Sequence, residues 1–185
     1  NPKLLNDLCV KNNVNIIQTT PSRFQALISD LNSLDYMKNV TDILVGGEPF
    51  PENLLVKLQS ICNAKIYNMY GPTETAVWST IKDVTHEEQI TIGTPIANTQ
   101  VYVLDSKQNL LPPYVPGNLY IGGDGLAKGY YMRDDLTKEK FIENKYIKNN
   151  LIYDTGDLVY FNYDGELVHL GRSDFQVKIR GYRVE

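Results

Sequence analysis

Cysteine and histidine are scarce in this chain. Two of each occur in 185 residues, and Cys9 and Cys62 have no CxxC spacing and no neighbouring histidine. That argues against zinc binding and dithiol redox chemistry and leaves two core thiols suited to a reducing cytoplasm. Long apolar runs are also missing: nothing approaches the about 20 residues that cross a bilayer. No basic-then-apolar leader opens the chain, and Asn1 in place of Met suggests an excerpt from something longer. Positive charge is short as well. A net charge of −4 lacks the basic face of a nucleic-acid groove, though backbone N–H groups and one or two arginines suffice for a small anion. With 42% apolar residues there is enough to build a core, for one domain or two small ones.

The first half alternates strand and helix patterns. Residues 14–20 (VNIIQTT) form a β-branched run, followed by an amphipathic stretch over 23–31 with Ser22 as its N-cap. Residues 40–45 read as a buried strand closed by Gly46–Gly47. Residues 51–61 place Leu54, Leu55, Leu58 and Ile61 at helical spacing, and 64–70 form a third strand. Strands separated by helices imply parallel βαβ units, whose ligands gather at the carboxyl ends of the strands. Gln18, Gly46–Gly47 and Met69–Tyr70 would lie on that rim. The pattern changes near 85–92. Short strands at 100–104, 118–121, 158–161 and 166–170 follow, with turns at Pro112–Pro113, Pro116–Gly117 and Asp164–Gly165, and one helix over 134–142. This predicts a small antiparallel sheet or distorted barrel. The expected division is 1–89, 90–173 and 174–185.

The densest chemistry lies in Asn68–Met69–Tyr70–Gly71–Pro72–Thr73–Glu74–Thr75. A strand ends at Tyr70 and Gly71–Pro72 force a turn. Thr73 can donate to a phosphate oxygen, Glu74 can hold Mg²⁺ directly or through water, and Tyr70 can lie against a purine. On spacing alone, a strand and turn whose threonine caps a helix accounts for the window equally well. Three more segments decide between them: GNLYIGGDGLAKGYY over 117–131, YDTGDL over 153–158 and GRSDFQVKIRGYRVE over 171–185. In this order and at this separation the four resemble the ANL adenylating enzymes, and within them the amino-acid-activating domains of nonribosomal peptide synthetases.

The resemblance implies an α/β fold: a partial parallel βαβ subdomain, then a small distorted antiparallel β-barrel. It also implies an activity. A substrate carboxylate attacks the α-phosphate of ATP, and a carrier-protein phosphopantetheine thiol then takes the acyl group. By motif match, Asn68 and Tyr70 hold adenine with Gly71 beside them, Thr73 the phosphate, and Glu74 the magnesium. Asp157 accepts the ribose hydroxyls and Arg172 reaches the ribose and phosphate side. Gly46, Gly47 and Glu48 let backbone approach the nucleotide. His169 stands where the family commonly has an aromatic beside the ribose, and as a strand residue it could equally face solvent. Asp174 matches the hinge of the C-terminal lid, to which Lys178 and Gly181 then belong. The substrate pocket maps to Gln18, Leu44, Gly46, Met69, Val77 and Trp78, a set that looks like that of glycine-activating domains, with bulky side chains filling the space. The implied partners are an amino acid, a carrier protein, neighbouring synthetase domains and a small MbtH-like activator. A phosphate-gripping loop before residue 1 and a catalytic lysine after residue 185 belong to the same pattern. The expectation is that these 185 residues alone are inactive. An acyl- or aryl-CoA ligase of the same superfamily shares the nucleotide motifs, and a non-catalytic fragment that binds nucleotide or a carrier protein is the rival from another class.

Overall fold

The computed structural model describes residues 1–173, 177–179 and 182–184. They fall into two compact units, Asn1–Met69 with Lys82–Ile90, and Tyr70–Ile81 with the described residues of Thr91–Gln176. The grouping differs from the expected division in that Tyr70–Ile81 belongs to the second unit, and the chain rejoins the first at Lys82.

The first unit runs α1 (Pro2–Lys11), β1 (Ile16–Thr19), α2 (Pro21–Leu27), β2 (Asp42–Gly46), α3 (Glu52–Ile61) and β3 (Lys65–Tyr70). The three strands are parallel in the order β1, β2, β3, as a helix between successive strands requires. Rows Ile17–Ile43–Ile66 and Thr19–Val45–Asn68 form one face of the sheet. Ile43, Val45 and Ile66 are buried there in the core with Phe24, Ile28, Leu54, Leu55 and Leu58. Cys9 lies in the same core, and the Cys62 thiol donates to the Leu58 carbonyl. Alternation puts Gln18, Leu44, Gly46 and Met69 on the opposite face. A hairpin of Val177–Ile179 against Tyr182–Val184 also groups with this unit.

Two expectations need correction here. Helix α2 ends at Leu27, not at residue 31, and its N-cap is Thr20 rather than Ser22. The Ser22 N–H donates to a carboxylate oxygen of Glu48 at 3.0 Å, and its hydroxyl donates to the other at 2.9 Å. A side chain 26 residues away thus satisfies an amide that a local cap would otherwise take.

The second unit is antiparallel. Its strands are β4 (Thr80–Asp83, of which Thr80 and Ile81 belong here), β5 (Thr94–Pro95), β6 (Thr99–Leu104), β7 (Gly117–Gly123), β8 (Phe141–Glu143), β9 (Leu151–Phe161) and β10 (Leu167–Arg172), with α4 (Asp134–Lys140) before β8. The main sheet has the order β10, β9, β7, β6, with β8 beside β9. Its core is Val103, Leu119, Ile121, Val159 and Leu167 with Tyr70 and Ile92. The expected helix over 134–142 stops at Lys140, because Phe141 turns extended to pair with Tyr153. Strand β9 is longer than the four residues predicted for it, since the whole of YDTGDL is strand.

Leu58 is fully enclosed in the first core. Leu58→Ala should lower the unfolding free energy by about 2–5 kcal/mol in urea titration. A loss below about 1 kcal/mol would show that helix α3 is not anchored through this side chain.

Candidate functional site

Within YDTGDL, Asp154, Thr155 and Gly156 together present the carboxylate of Asp157. Between β7 and β9, Asn118 faces Leu158 but Tyr120 faces Asp154, so β9 carries two extra residues around Gly156. Gly156 has φ +70°, where a side chain would be strained. An Asp154 carboxylate oxygen takes the Gly156 N–H at 3.0 Å. The Thr155 hydroxyl donates to the Leu119 carbonyl at 2.8 Å and accepts the Asp157 N–H at 3.0 Å. Ser173 closes the bulge through its N–H and hydroxyl, both bonded to the Gly156 carbonyl at 2.9 Å. Asp157 emerges in a fixed pose and is buried.

A second bulge supplies its partners. His169 faces Val159 and Gly171 faces Leu158, so Leu170 is an extra residue in β10. In a regular strand His169 and Arg172 would point to opposite faces, being three residues apart. The bulge puts both on the side of Asp157. His169 Nε2 and Arg172 Nη1 each lie 3.2 Å from Oδ1 of Asp157, and the Tyr70 hydroxyl donates to Oδ2 at 2.5 Å. The Tyr70 and His169 rings are tilted, with centroids 6.0 Å apart. Burial alone would raise the Asp157 carboxyl. The hydrogen bonds from His169 and Tyr70, with the charges of His169 and Arg172, outweigh it and hold the carboxyl below its usual range. Burial first, then the charge of Asp157, pushes the Tyr70 phenol well up, so it stays a donor.

A second buried carboxylate sits in the turn after Tyr70. Thr73–Thr75 is a single 3₁₀ turn with Thr73 exposed and Glu74 buried. The Tyr130 hydroxyl donates to Oε1 of Glu74 at 2.6 Å and lies 3.3 Å from the Tyr153 hydroxyl. The chain then folds back, and the Ser79 N–H donates to the Tyr70 carbonyl at 2.8 Å. A Cβ on Gly71 would meet the Val77 carbonyl at 2.5 Å, so its bare backbone serves this closure. Ala76 and Val77 have φ of 60° and 75°, and the Trp78 N–H donates to the Ala76 carbonyl at 2.9 Å. This is a γ-turn of the rarer, strained hand centred on a β-branched residue. Such strain costs on the order of 1–3 kcal/mol and collects at functional sites. It leaves Val77 exposed and Trp78 half-buried directly after the turn.

Of the other residues singled out in the sequence, Gln18, Leu44, Gly46 and Met69 share the sheet face opposite the helix-packed core. Gln18 pairs with Leu44, and Gly46 with Met69. Asn68 is buried on the other face, beside Val45. Gly47 has φ +84°, and Glu48 is bound to Ser22. Asp174 and Gly181 lie outside the described residues, as does the side chain of Lys178. Tyr130 and Tyr153 carry no role in the sequence reading; only the quoted motifs containing them point there. Among the described residues no group of three or more His, Cys, Asp or Glu could form a metal cage. One buried carboxylate does fit Mg²⁺, which commonly takes one or two protein carboxylates and completes its shell with phosphate oxygens and water. No described helix is long and apolar enough to cross a membrane.

Comparison with known proteins shows the class of protein to which these two units and their buried carboxylates belong. The family model described as AMP-binding enzyme matches residues 1–131. The chain belongs to the AMP-binding enzyme family. It is 43% identical over 190 residues to a dimodular nonribosomal peptide synthase of Bacillus subtilis (strain 168), covering 100% of this chain and 8% of the relative. It is 45% identical over 161 residues to bacitracin synthase 3 of Bacillus licheniformis, covering 84% of this chain and 2% of that protein. Among solved structures, an NRPS protein containing adenylation and PCP domains superposes with a TM-score of 0.90 at 29% identity, covering 100% of this chain and 33% of that one. A four-domain nonribosomal peptide synthetase bound to AMP and glycine gives 0.81 at 43% identity, covering 97% of this chain and 14% of that one. The chain therefore matches the adenylation part of such synthetases and spans a small share of their length.

Because the folded-state carboxyl of Asp157 is depressed, its contribution to stability is complete above the usual carboxylate value. It is lost as pH falls from about 4 through the folded value. Asp157→Asn should be less stable at pH 7 and should flatten the acid limb in urea titrations between about pH 3 and 7. Parallel profiles for the two proteins would contradict the assigned network.

Proposed function

We propose that this chain is the middle part of an adenylation domain that activates an amino acid with ATP, and that the amino acid is glycine. The observation that carries this reading is the buried Asp157 with Tyr70, His169 and Arg172 around it, in a chain whose residues 1–131 match the AMP-binding family. The carboxylate is acceptor-only with about four lone-pair positions, so it can accept ribose hydroxyls while keeping its protein donors. Tyr70, ending β3 beside that carboxylate, suits the adenine, with Asn68 and Gly71 flanking it in sequence, and Gly46, Gly47 and Glu48 would let backbone approach the nucleotide. His169 takes the place of an aromatic at the ribose, and Arg172 serves the ribose and phosphate side. The exposed Thr73 hydroxyl can donate to a phosphate oxygen, and Glu74 would hold Mg²⁺. When bound, the ion neutralises charge on the phosphates.

In the reaction, an oxygen of the amino-acid carboxylate forms a bond to the α-phosphorus, and the bond from that phosphorus to pyrophosphate breaks. The aminoacyl group then passes to a carrier-protein phosphopantetheine thiol, and AMP leaves. The lid that would swing between the two steps begins at Asp174. Carrier protein, adjoining synthetase domains and an MbtH-like activator are the proposed partners.

Glycine is favoured by the pocket set. Gln18, Leu44, Gly46 and Met69 share one sheet face in matching register, which supports their lining a common pocket. The γ-turn that carries Val77 and Trp78 supports a rigid bulky wall. Gln18, Met69 and Trp78 would fill the volume of a side chain, and excluding larger acids by shape is easier than rejecting smaller ones. The glycine-bound synthetase at 43% identity leans the same way.

ATP–pyrophosphate exchange by the full-length protein across a panel of amino acids and acyl or aryl acids tests this directly. Glycine should drive the most exchange, and Trp78→Ala should admit larger amino acids. Exchange driven only by fatty or aryl acids would overturn the amino-acid reading. Unchanged selectivity in Trp78→Ala would remove that residue from the pocket. The 185-residue chain by itself should give little or no exchange, since losing one preorganised contact to the developing charge commonly costs about 10²–10³ in rate.

A further inference from the structure

The segment GGDGLAKGYY, residues 122–131, has no part in the chemistry described so far. Its glycine richness suggests a phosphate cradle, but the structure gives those glycines another use. Gly123 has φ +114°, and a Cβ there would meet the Asn98 carbonyl oxygen at 2.1 Å. A Cβ on Gly125 would come within 3.1 Å of the Thr75 carbonyl. Gly129 has φ +135°, and its Cβ would strike Thr137 Cγ2 at 2.4 Å. Each glycine lets backbone close on a neighbour, and two of those approaches bear on the Glu74 turn. The Ala127 N–H donates to the Glu74 carbonyl at 2.8 Å, fixing its backbone. The Tyr130 hydroxyl donates to Glu74 Oε1 at 2.6 Å, fixing its carboxylate.

Tyr130 is itself anchored at two points, its backbone and its ring. Its N–H donates to the Thr137 hydroxyl at 2.9 Å, and that hydroxyl in turn donates to the Arg133 carbonyl at 2.9 Å. Its ring meets Phe141 edge-on with centroids 5.7 Å apart, and Phe141 packs against Tyr153 at 5.1 Å. Neither of its anchors, Thr137 or Phe141, belongs to the proposed nucleotide or pocket residues.

We propose that Tyr130 is the positioning residue for Glu74, and that the segment 122–131 is a clamp that orients this carboxylate for the divalent cation of the bound nucleotide. A carboxylate held by a neutral phenol keeps its negative charge while losing its freedom to rotate. A cation that retains water and takes few protein ligands gains most from a ligand already in place. A charge-assisted bond of this kind is among the stronger ones. The proposal rests on the reading of Glu74 as the metal-holding residue.

The test uses Mn²⁺ as probe on the full-length protein saturated with α,β-methylene-ATP, with free Mn²⁺ followed by electron paramagnetic resonance. Tyr130→Phe should raise the Mn²⁺ concentration for half-saturation about tenfold, the scale of one lost hydrogen bond to a charged group. Affinity for the analogue without divalent cation should be unchanged. Thr137→Val leaves the phenol intact and frees its backbone, so it should shift Mn²⁺ binding in the same direction by a smaller factor. It also serves if Tyr130→Phe folds poorly. Glu74→Gln must weaken Mn²⁺ binding at least as much as Tyr130→Phe. If Glu74→Gln weakens it and neither Tyr130→Phe nor Thr137→Val does, the clamp is overturned and the metal assignment stands. If Glu74→Gln leaves Mn²⁺ binding unchanged, the metal assignment fails and the clamp falls with it.

Discussion

The Asp157 carboxylate is the constraint around which the antiparallel unit is built. Taking an isolated carboxylate out of water costs several kcal/mol, and the charge survives only where donors replace the lost hydration. Here Tyr70 binds one oxygen while His169 and Arg172 bind the other. Those donors come from the end of β3 and from β10, and regular pairing of β9 and β10 could not bring them together. Two bulges in adjoining strands solve the problem, one releasing Asp157 from pairing with β7 while it still pairs with Arg172, and one turning His169 to the face of Arg172. Thr155, Gly156, Gly171 and Ser173 follow from that geometry. They build the backbone that lets a carboxylate stay charged while buried.

Glu74 is held on a different principle. Its Oε1 takes a hydrogen bond from a neutral phenol, and its backbone is pinned from the segment 122–131. The contrast is physically sensible for the proposed reaction. A group that receives ribose hydroxyls can be served by a cationic donor such as Arg172, since its partner is neutral. For a group meant for a divalent cation, a phenol orients the carboxylate without adding positive charge that would compete with the ion. The strained turn at Ala76–Val77 follows immediately, so consecutive features of one short segment are held against their intrinsic preference.

Much of this is legible in the sequence, and what is not shares one cause. The parallel strands and helix α3 follow from apolar periodicity, and their positions agree with the pattern to within a residue or two. Asp157 and Glu74 stand out through short motifs. The bulges are invisible there because they are defined by pairing with another strand: the sequence pattern begins the strand only at residue 158, and the register with β7 reveals that the whole of YDTGDL is strand. Glu48 reaches Ser22 across 26 residues, so a local capping rule assigns the cap to the wrong residue. Tyr130 lies inside a motif whose glycines suggest flexibility, whereas three of them serve close packing. Local rules recover elements; contacts distant in sequence decide what the side chains do.

The same distinction bears on how substrate choice would be encoded. On the proposed reading, Gln18, Leu44, Gly46 and Met69 form part of the pocket because the register of three parallel strands sets them side by side. A slip of one residue would exchange this set for Ile17, Ile43, Val45 and Asn68 and expose the core, so burial of Ile43 and Val45 enforces the register. The cluster around Ile43 and Val45 would therefore fix the geometry of the opposite face, on which Gln18, Leu44, Gly46 and Met69 lie. Selectivity would then change by substitution at those four positions, at least stability cost at the exposed Gln18 and half-buried Leu44 and at more cost at the buried Gly46 and Met69.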